Sequence, residues 1–135
     1  MPTKAPAITI TGYSHVAYPV DDLETAVAFY CDVLGFTELP IPDFGPRFQG
    51  AWLRLGTAQV HLGTVEEMGT RVGFPHIALH VPADAWDETI DELSARGVPF
   101  ALGPNAREDF GKPVRAAFIQ DPAGNFIELT DVPPV

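Results

Sequence analysis

The stretch FPHIALHV, from Phe74 to Val81, places two histidines four positions apart in an otherwise apolar run. Isoleucine, leucine and valine favour strands, and side chains at every second position of a strand lie on the same face. His76 and His80 therefore share one face of a predicted strand with Ala78. A single histidine in a strand most often belongs to the core or its rim. A role for His76 as a metal ligand thus depends on what the rest of the chain places near it.

The same pattern occurs earlier in the chain, in the stretch SHVAYPV that begins at Ser14. Each of the two stretches is followed by an amphipathic helix and then by three short β-rich runs. The first helix is predicted to have Asp21 or Asp22 as its N-cap and Gly35 just after its C-terminus. The second helix lies in ADAWDETIDELSARG and ends at Gly97. The chain is therefore an internal repeat of one strand, one helix and three strands.

The repeat predicts an α+β fold of two βαβββ modules, about 8–64 and about 74–131, within a single domain that spans 1–135. The predicted strands are about 8–19, 36–41, 48–55 and 59–63 in the first module, and about 75–82, 98–102, 114–120 and 125–130 in the second. The polar segment 103–113 is predicted to be a loop that covers or contacts a ligand. Because one module cannot easily bury its sheet face alone, the two should pack together.

Superposing the two modules aligns His15 with His76 and His61 with Glu128. The first pair opens the first strand of each module, and the second pair lies on the last strand. Imidazole and carboxylate donors suit Zn²⁺, Fe²⁺, Ni²⁺, Co²⁺ or Mn²⁺ better than they suit Ca²⁺ or Mg²⁺. The sequence therefore indicates one divalent transition metal held by His15, His61, His76 and Glu128. The alternative is that these are ordinary strand residues.

Composition excludes several classes of function. The net charge is −10 and the isoelectric point is about 4.5, so a basic surface for nucleic acid or anionic membrane is not expected. No apolar run approaches the ~20 residues that span a bilayer, and the N-terminus has no secretory signal. The single cysteine, Cys31, excludes an internal disulfide and fits a cytoplasmic location.

The quoted stretches resemble the vicinal oxygen chelate superfamily, which includes glyoxalases, bleomycin-resistance proteins and extradiol dioxygenases. The resemblance rests on SHVAYPVDDLETAVAFYCDVLGF in the first module and on PHIALHV, ARGV and FIQDPAGNFIEL in the second. It implies sheets that curl around a cavity, with metal ligands at His15, His61, His76 and Glu128. It also implies that the metal chelates two adjacent oxygens of a small substrate and acts as a Lewis acid.

The resemblance implies three functions. The first is a glyoxalase-like lyase or isomerase in which Glu128 or His61 transfers a proton. The second is an extradiol-type dioxygenase with His15, His76 and Glu128 on Fe²⁺, although Phe118 stands where that class has a tyrosine. The third is a binding or resistance protein, or a resistance enzyme that adds a thiol to an epoxide, with a pocket that could be lined by aromatic residues: Phe48, Trp52, Phe110 and Phe118.

The resemblance also implies a homodimer that binds a small-molecule substrate. The metal site can lie between the two modules of one chain, or between a module of one chain and a module of its partner, and the sequence leaves both arrangements open. Candidate contacts for an anionic substrate are the arginines at four positions: Arg47, Arg54, Arg107 and Arg115.

Overall fold

The computed structural model describes residues 8–47, 49–70, 72–109 and 112–133. In chain order, the elements of these ranges are β1 (Val16–Val20), α1 (Leu23–Ala28), β2 (Thr37–Leu39), β3 (Gly50–Leu55), β4 (Ala58–Thr64), β5 (His76–His80), α2 (Trp86–Ala95), β6 (Leu102–Asp109), β7 (Lys112–Gln120) and β8 (Phe126–Thr130). A π-helical turn follows α1 and a 3₁₀ turn precedes α2. The order confirms the predicted α+β fold of two βαβββ units. Within the described ranges, neither helix is long and apolar enough to cross a membrane.

Each unit forms one four-stranded sheet, and the two sheets have the same topology. The strand orders are β1-β4-β3-β2 and β5-β8-β7-β6. In each sheet the first strand pairs in parallel with the last, which is possible because the helix carries the chain back across the sheet. The registers also match, since Ala17 pairs with His61 and Ala78 pairs with Glu128. His15 and His76, each two positions before those alanines, are therefore diagonal neighbours of His61 and Glu128.

The predicted helix ends are confirmed. The Asp22 side chain accepts a hydrogen bond from the Thr25 backbone N–H at 3.1 Å, so Asp22 rather than Asp21 caps α1. Gly35 and Gly97 have φ angles of +82° and +76°. This left-handed conformation, which glycine adopts most easily, ends both helical segments.

The two faces of each sheet differ in what covers them. One face packs against the helices in a shared core that contains Tyr30, Leu53, Trp86, Ile119 and Ile127. The opposite face carries the ligand-type residues and is open along the first strands. In β5, for example, positions 76, 78 and 80 are exposed and positions 77 and 79 are half-buried. The predicted shared face of His76, Ala78 and His80 is thus confirmed.

Two predicted strand positions are wrong. The strand predicted at 8–19 begins only at Val16, where pairing with Val60 starts; because β4 begins at Ala58, the parallel register offers no partner to residues 8–13. The strand predicted at 98–102 and the loop predicted at 103–113 are replaced by β6 and the start of β7. A polar sequence is compatible with β6 because it is an edge strand, and its described side chains, 102–106, are exposed.

A buried hydrogen-bond network centred on Asp121 joins the two units. Asp121 is 3% exposed and lies in the predicted DPAGN turn before β8. Its carboxylate accepts from the Tyr30 hydroxyl of the first unit at 2.9 Å and from the side chain of Asn125 at 2.8 Å. The Asn125 amide also donates to the Pro19 carbonyl in β1, at 2.9 Å. The turn is therefore held by the helical segment and the first strand of the other unit.

Arg115 on β7 connects the end of the second sheet to α2. Its backbone N–H and its guanidinium donate to the two oxygens of Asp131 at 2.7 and 3.0 Å. The guanidinium also donates to the Ala83 carbonyl and lies 5.4 Å from the centre of a Trp86 ring. Burial alone would raise the pKa of Asp131, but the hydrogen bonds and charge of Arg115 outweigh it and lower that pKa.

Replacing Tyr30 with phenylalanine tests the network between the units. The Tyr30→Phe change removes a donor to a buried charge, so the free energy of unfolding should fall by about 1.5–3 kcal/mol. Urea denaturation followed by circular dichroism measures this fall. Tyr13→Phe is the matched control, because Tyr13 is 97% exposed and should change stability by less than about 0.5 kcal/mol. Equal stability of the two variants would contradict the role of the network.

The lowered pKa of Asp131 predicts a pH dependence. Ionised Asp131 stabilises the fold above its unfolded pKa of about 3.9, and this contribution is lost as the pH falls through the folded pKa. Asp131→Asn should therefore be less stable than the wild type by about 1.5–3 kcal/mol at pH 7, with a smaller difference below about pH 4. The control is Asp87→Asn, whose carboxylate is 92% exposed and 3.7 Å from the same guanidinium. Urea denaturation at several pH values measures the difference in unfolding free energy between the wild type and Asp131→Asn. The prediction is refuted if this difference is the same at pH 7 and below about pH 4.

Candidate functional site

The first half-site, defined as His15, Trp52 and His61, is a stack of three rings on the open face of the first sheet. The His61 ring lies 4.2 Å from the Trp52 ring at an interplanar angle of 6°, and 3.8 Å from the His15 ring at 13°. The β3–β4 register produces this contact, because Trp52 pairs directly with His61. The structure thus brings His15 and His61 together, as the repeat predicted.

The environment of His61 favours its neutral form. Burial lowers the pKa of His61, and the nearby His15 lowers it further. His61 Nε2 lies 3.0 Å from the side-chain oxygen of Gln59. An amide oxygen only accepts, so the hydrogen is on Nε2 and the lone pair is on Nδ1. His61 therefore has one nitrogen available to a metal ion or a proton. Because the rings of His15 and His61 are parallel, the exposed His15 must turn before both can bind one ion.

The second half-site, defined as His76, Phe118 and Glu128, occupies the corresponding position of the second sheet. His76 Nε2 lies 3.1 Å from Glu128 Oε1, and the Glu128 side chain is 10% exposed. Phe118 pairs with Glu128 across β7 and β8, and its ring meets the His76 ring edge-on at 5.2 Å. Phe118 is therefore the repeat equivalent of Trp52.

The donor atoms of the second half-site fit a metal ion. His76 Nδ1 is 2.9 Å from the Phe74 carbonyl, which can only accept, so Nδ1 carries a hydrogen. Nε2 then holds either a second proton or a lone pair that faces the carboxylate. Two ligands at about 2.1 Å from one metal are separated by roughly 3.0–3.4 Å in octahedral or tetrahedral geometry. The observed 3.1 Å separation falls in this range.

The four predicted ligands form two pairs rather than one cluster. His15 and His61 lie on the first sheet, and His76 and Glu128 lie on the second. Within the part of the chain that the structure describes, no group of three or more His, Cys, Asp or Glu side chains is close enough to hold a metal ion. His80 lies on the same strand as His76, four residues further along and opposite Thr130, and is exposed.

An open cavity lies beside each half-site. The first has a volume of about 580 Å³, and its walls include His15, Phe44, Arg47, Trp52 and His61. The second has a volume of about 450 Å³ and is formed mainly by β6 and β7, with Phe118 in its wall. Trp52 and Phe118 thus occupy the predicted lining positions. The other two aromatic residues proposed for the pocket, Phe48 and Phe110, lie outside the described residues.

Two residues of these surroundings have no role assigned from the sequence: Phe44 and Phe74. Gln59 is different, because alternation along the predicted strand 59–63 puts it on the face of His61, and a two-residue turn at 56–57 sets the pairing of β3 with β4. The same turn predicts that Trp52 faces His61. Phe74 precedes its strand and Phe44 lies between strands, so no periodic pattern signals their positions.

The chain belongs to the glyoxalase/bleomycin resistance protein/dioxygenase superfamily. Residues 12–129 match the sequence model of that superfamily, which confirms the resemblance noted in the two modules. Members of this superfamily generally use a divalent metal and bind small molecules.

Named relatives and a solved structure agree with this membership. The chain is 26% identical to the metallothiol transferase FosB of Lysinibacillus sphaericus over 124 residues, which cover 90% of this chain and 83% of FosB. It is 34% identical over 125 residues to a Synechocystis sp. protein named "Probable lactoylglutathione lyase", with 85% of this chain and 91% of the relative covered. The solved structure of fosfomycin resistance protein FosX from Mesorhizobium loti superposes with a TM-score of 0.71 at 20% sequence identity. The match covers 93% of this chain and 94% of FosX, and it shows that the two share a fold.

Proposed function

We propose that the chain, acting as a single glyoxalase-like domain, is a metal-dependent lyase or isomerase for a small molecule with two adjacent oxygen atoms. The observation that carries the proposal is the pair formed by His76 Nε2 and Glu128 Oε1, 3.1 Å apart. The hydrogen bond of His76 Nδ1 to Phe74 directs the remaining ring nitrogen towards the carboxylate. Identity of 34% to the Synechocystis protein supports the same class of reaction.

The residues that would hold the metal are His15, His61, His76 and Glu128. A bound divalent cation supplies Lewis-acid polarisation of a carbonyl oxygen. The proton transfer is assigned to His61 and Glu128. His61 Nδ1 has one lone pair, so His61 would accept a proton only while it does not hold the metal. Glu128 is suited to the same role because its largely buried carboxylate lies beside His76.

A complete site requires a second copy of the chain in this proposal. Each sheet carries only two of the donors, and the first strands, β1 and β5, are edge strands with open faces. Apolar side chains near the half-sites support burial by a partner, since Phe44 is 55%, Phe74 is 42% and Leu102 is 53% exposed. We therefore favour a homodimer in which the first half-site of one chain meets the second half-site of the other.

Thiol transfer is the second candidate function. The identity of 26% to FosB over nearly the whole chain favours it. Both reactions can use the same imidazole and carboxylate donors, so turnover assays with a thiol and either an oxoaldehyde or an epoxide distinguish them. The dioxygenase alternative has less support, because the ring that contacts His76 is Phe118, which has no acid–base group.

Metal content tests the donor set. The purified wild-type chain should contain close to one Zn²⁺, Ni²⁺, Co²⁺, Fe²⁺ or Mn²⁺ ion, measured by elemental mass spectrometry before any chelator is used. His76→Ala and Glu128→Ala should each weaken binding by more than about a hundredfold, because loss of even an outer-shell partner costs 10–100-fold. The control is His80→Ala, on the same strand and face, which should bind as the wild type does. Unchanged affinity in the first two variants would refute the proposed ligands.

Mixing two variant chains tests whether the site is shared. One chain carries His15→Ala and His61→Ala, and the other carries His76→Ala and Glu128→Ala. Neither should bind metal alone, but a mixed pair has one site with all four donors. After random exchange half of the pairs are mixed, so about a quarter of wild-type metal uptake should return. If mixed pairs are detected by native mass spectrometry and bind no metal, the site does not lie between two chains.

A further inference from the structure

The cavity beside the first half-site has a charged wall. Arg47 is the only basic residue among the described residues that line it. Of the other three candidate arginines, Arg115 is engaged with Asp131 and the Ala83 carbonyl, and Arg54 does not line this cavity. The side chain of Arg107 lies outside the described part. Arg47 is thus the one candidate that the described fold places beside ligand-type histidines.

The guanidinium of Arg47 is available to a ligand. The ion pairs found among the described residues involve Arg96, Arg115 and His76, and none involves Arg47. Arg47 is exposed, and it also lines a neighbouring cavity with Asp21 and Glu66, with neither of which it forms an ion pair among the described contacts. A planar guanidinium binds a carboxylate or a similar oxyanion through two parallel hydrogen bonds. In a chain with a net charge of −10, an unpaired cation at a cavity opening is a strong local attraction for an anion.

The wall next to Arg47 is aromatic. The Phe44 and Trp52 rings lie 6.1 Å apart at an interplanar angle of 50°, and Trp52 is nearly parallel to the His61 ring. Phe44 is 55% exposed, so its ring faces the open space rather than the core. Aromatic side chains form the apolar walls of most small-ligand pockets, whereas a few polar groups fix the orientation of the ligand. A ligand with an apolar, planar body therefore suits the cavity that Arg47 shares with the two histidines.

We propose that this cavity selects a small organic anion. An oxyanionic group at one end of the ligand pairs with Arg47, its planar body lies against Trp52 and Phe44, and its two adjacent oxygens, at the other end, reach the metal donors. This inference rests on the proposed function, because the adjacent oxygens need the metal. It deepens that function by assigning Arg47 as the residue that determines specificity for negative charge.

Two probes that differ only in charge test the inference. Both 3,4-dihydroxybenzoate and 3,4-dihydroxybenzamide present a flat ring and two adjacent oxygens, but only the first has a carboxylate. Calorimetric titration of the full chain loaded with Zn²⁺ should show tighter binding of the acid by about tenfold, as expected for a charge-assisted hydrogen bond. Arg47→Gln should abolish this preference and leave the affinity for the amide unchanged. Arg54→Gln, which removes the same charge outside the cavity, should retain it.

The outcomes separate this inference from the proposed function. If Zn²⁺ binds and both probes bind equally to the wild type, or if Arg47→Gln keeps the preference for the acid, the role of Arg47 is refuted and the metal site stands. If Zn²⁺ binds and neither probe does, the inference fails in the same way. If Zn²⁺ itself is not taken up, the proposed function fails and the inference fails with it.

Discussion

The buried carboxylate of Asp121 is the interaction on which the relation of the two sheets depends. A buried charge is strongly unfavourable unless it is hydrogen-bonded, and its donors come from both units of the repeat: the Tyr30 hydroxyl from the first and Asn125 from the second. Asn125 then reaches the Pro19 carbonyl of β1. The DPAGN motif, which carries part of the resemblance to the superfamily, therefore has a structural role here, whereas the proposed metal ligand Glu128 lies on the strand that follows it.

Much of the candidate site could be predicted because its geometry is local. Alternation along β5 fixes the face of His76, and the repeat transfers that face to His15. A two-residue turn at 56–57 is enough to set Trp52 opposite His61, since the register of a hairpin follows from its turn. The same reasoning in the second unit sets Phe118 opposite Glu128. Two independent constraints, strand alternation and the repeat, thus place the four ligand-type residues as two pairs.

The rest depends on contacts that leave no periodic signal. The strand β6 has a polar sequence because its side chains face solvent, so hydrophobic alternation does not mark it. The start of β1 depends on which residues of β4 lie opposite it, and the sequence of β1 does not contain that information. The position of one pair of donors relative to the other is also a tertiary property. Strand patterns specify which face a histidine occupies, but not which other sheet that face meets.

The repeat-equivalent positions 61 and 128 carry a histidine and a glutamate, and this choice of side chains sets the total charge of the four proposed donors. Three neutral imidazoles and one carboxylate carry a single negative charge, so a bound dication would leave one unit of positive charge at the centre. A second carboxylate at position 61 would cancel this excess. Burial and the nearby His15 lower the pKa of His61, which favours the uncharged ring. On a chain with a net charge of −10, such a centre would be an electropositive point within a field that elsewhere repels anions.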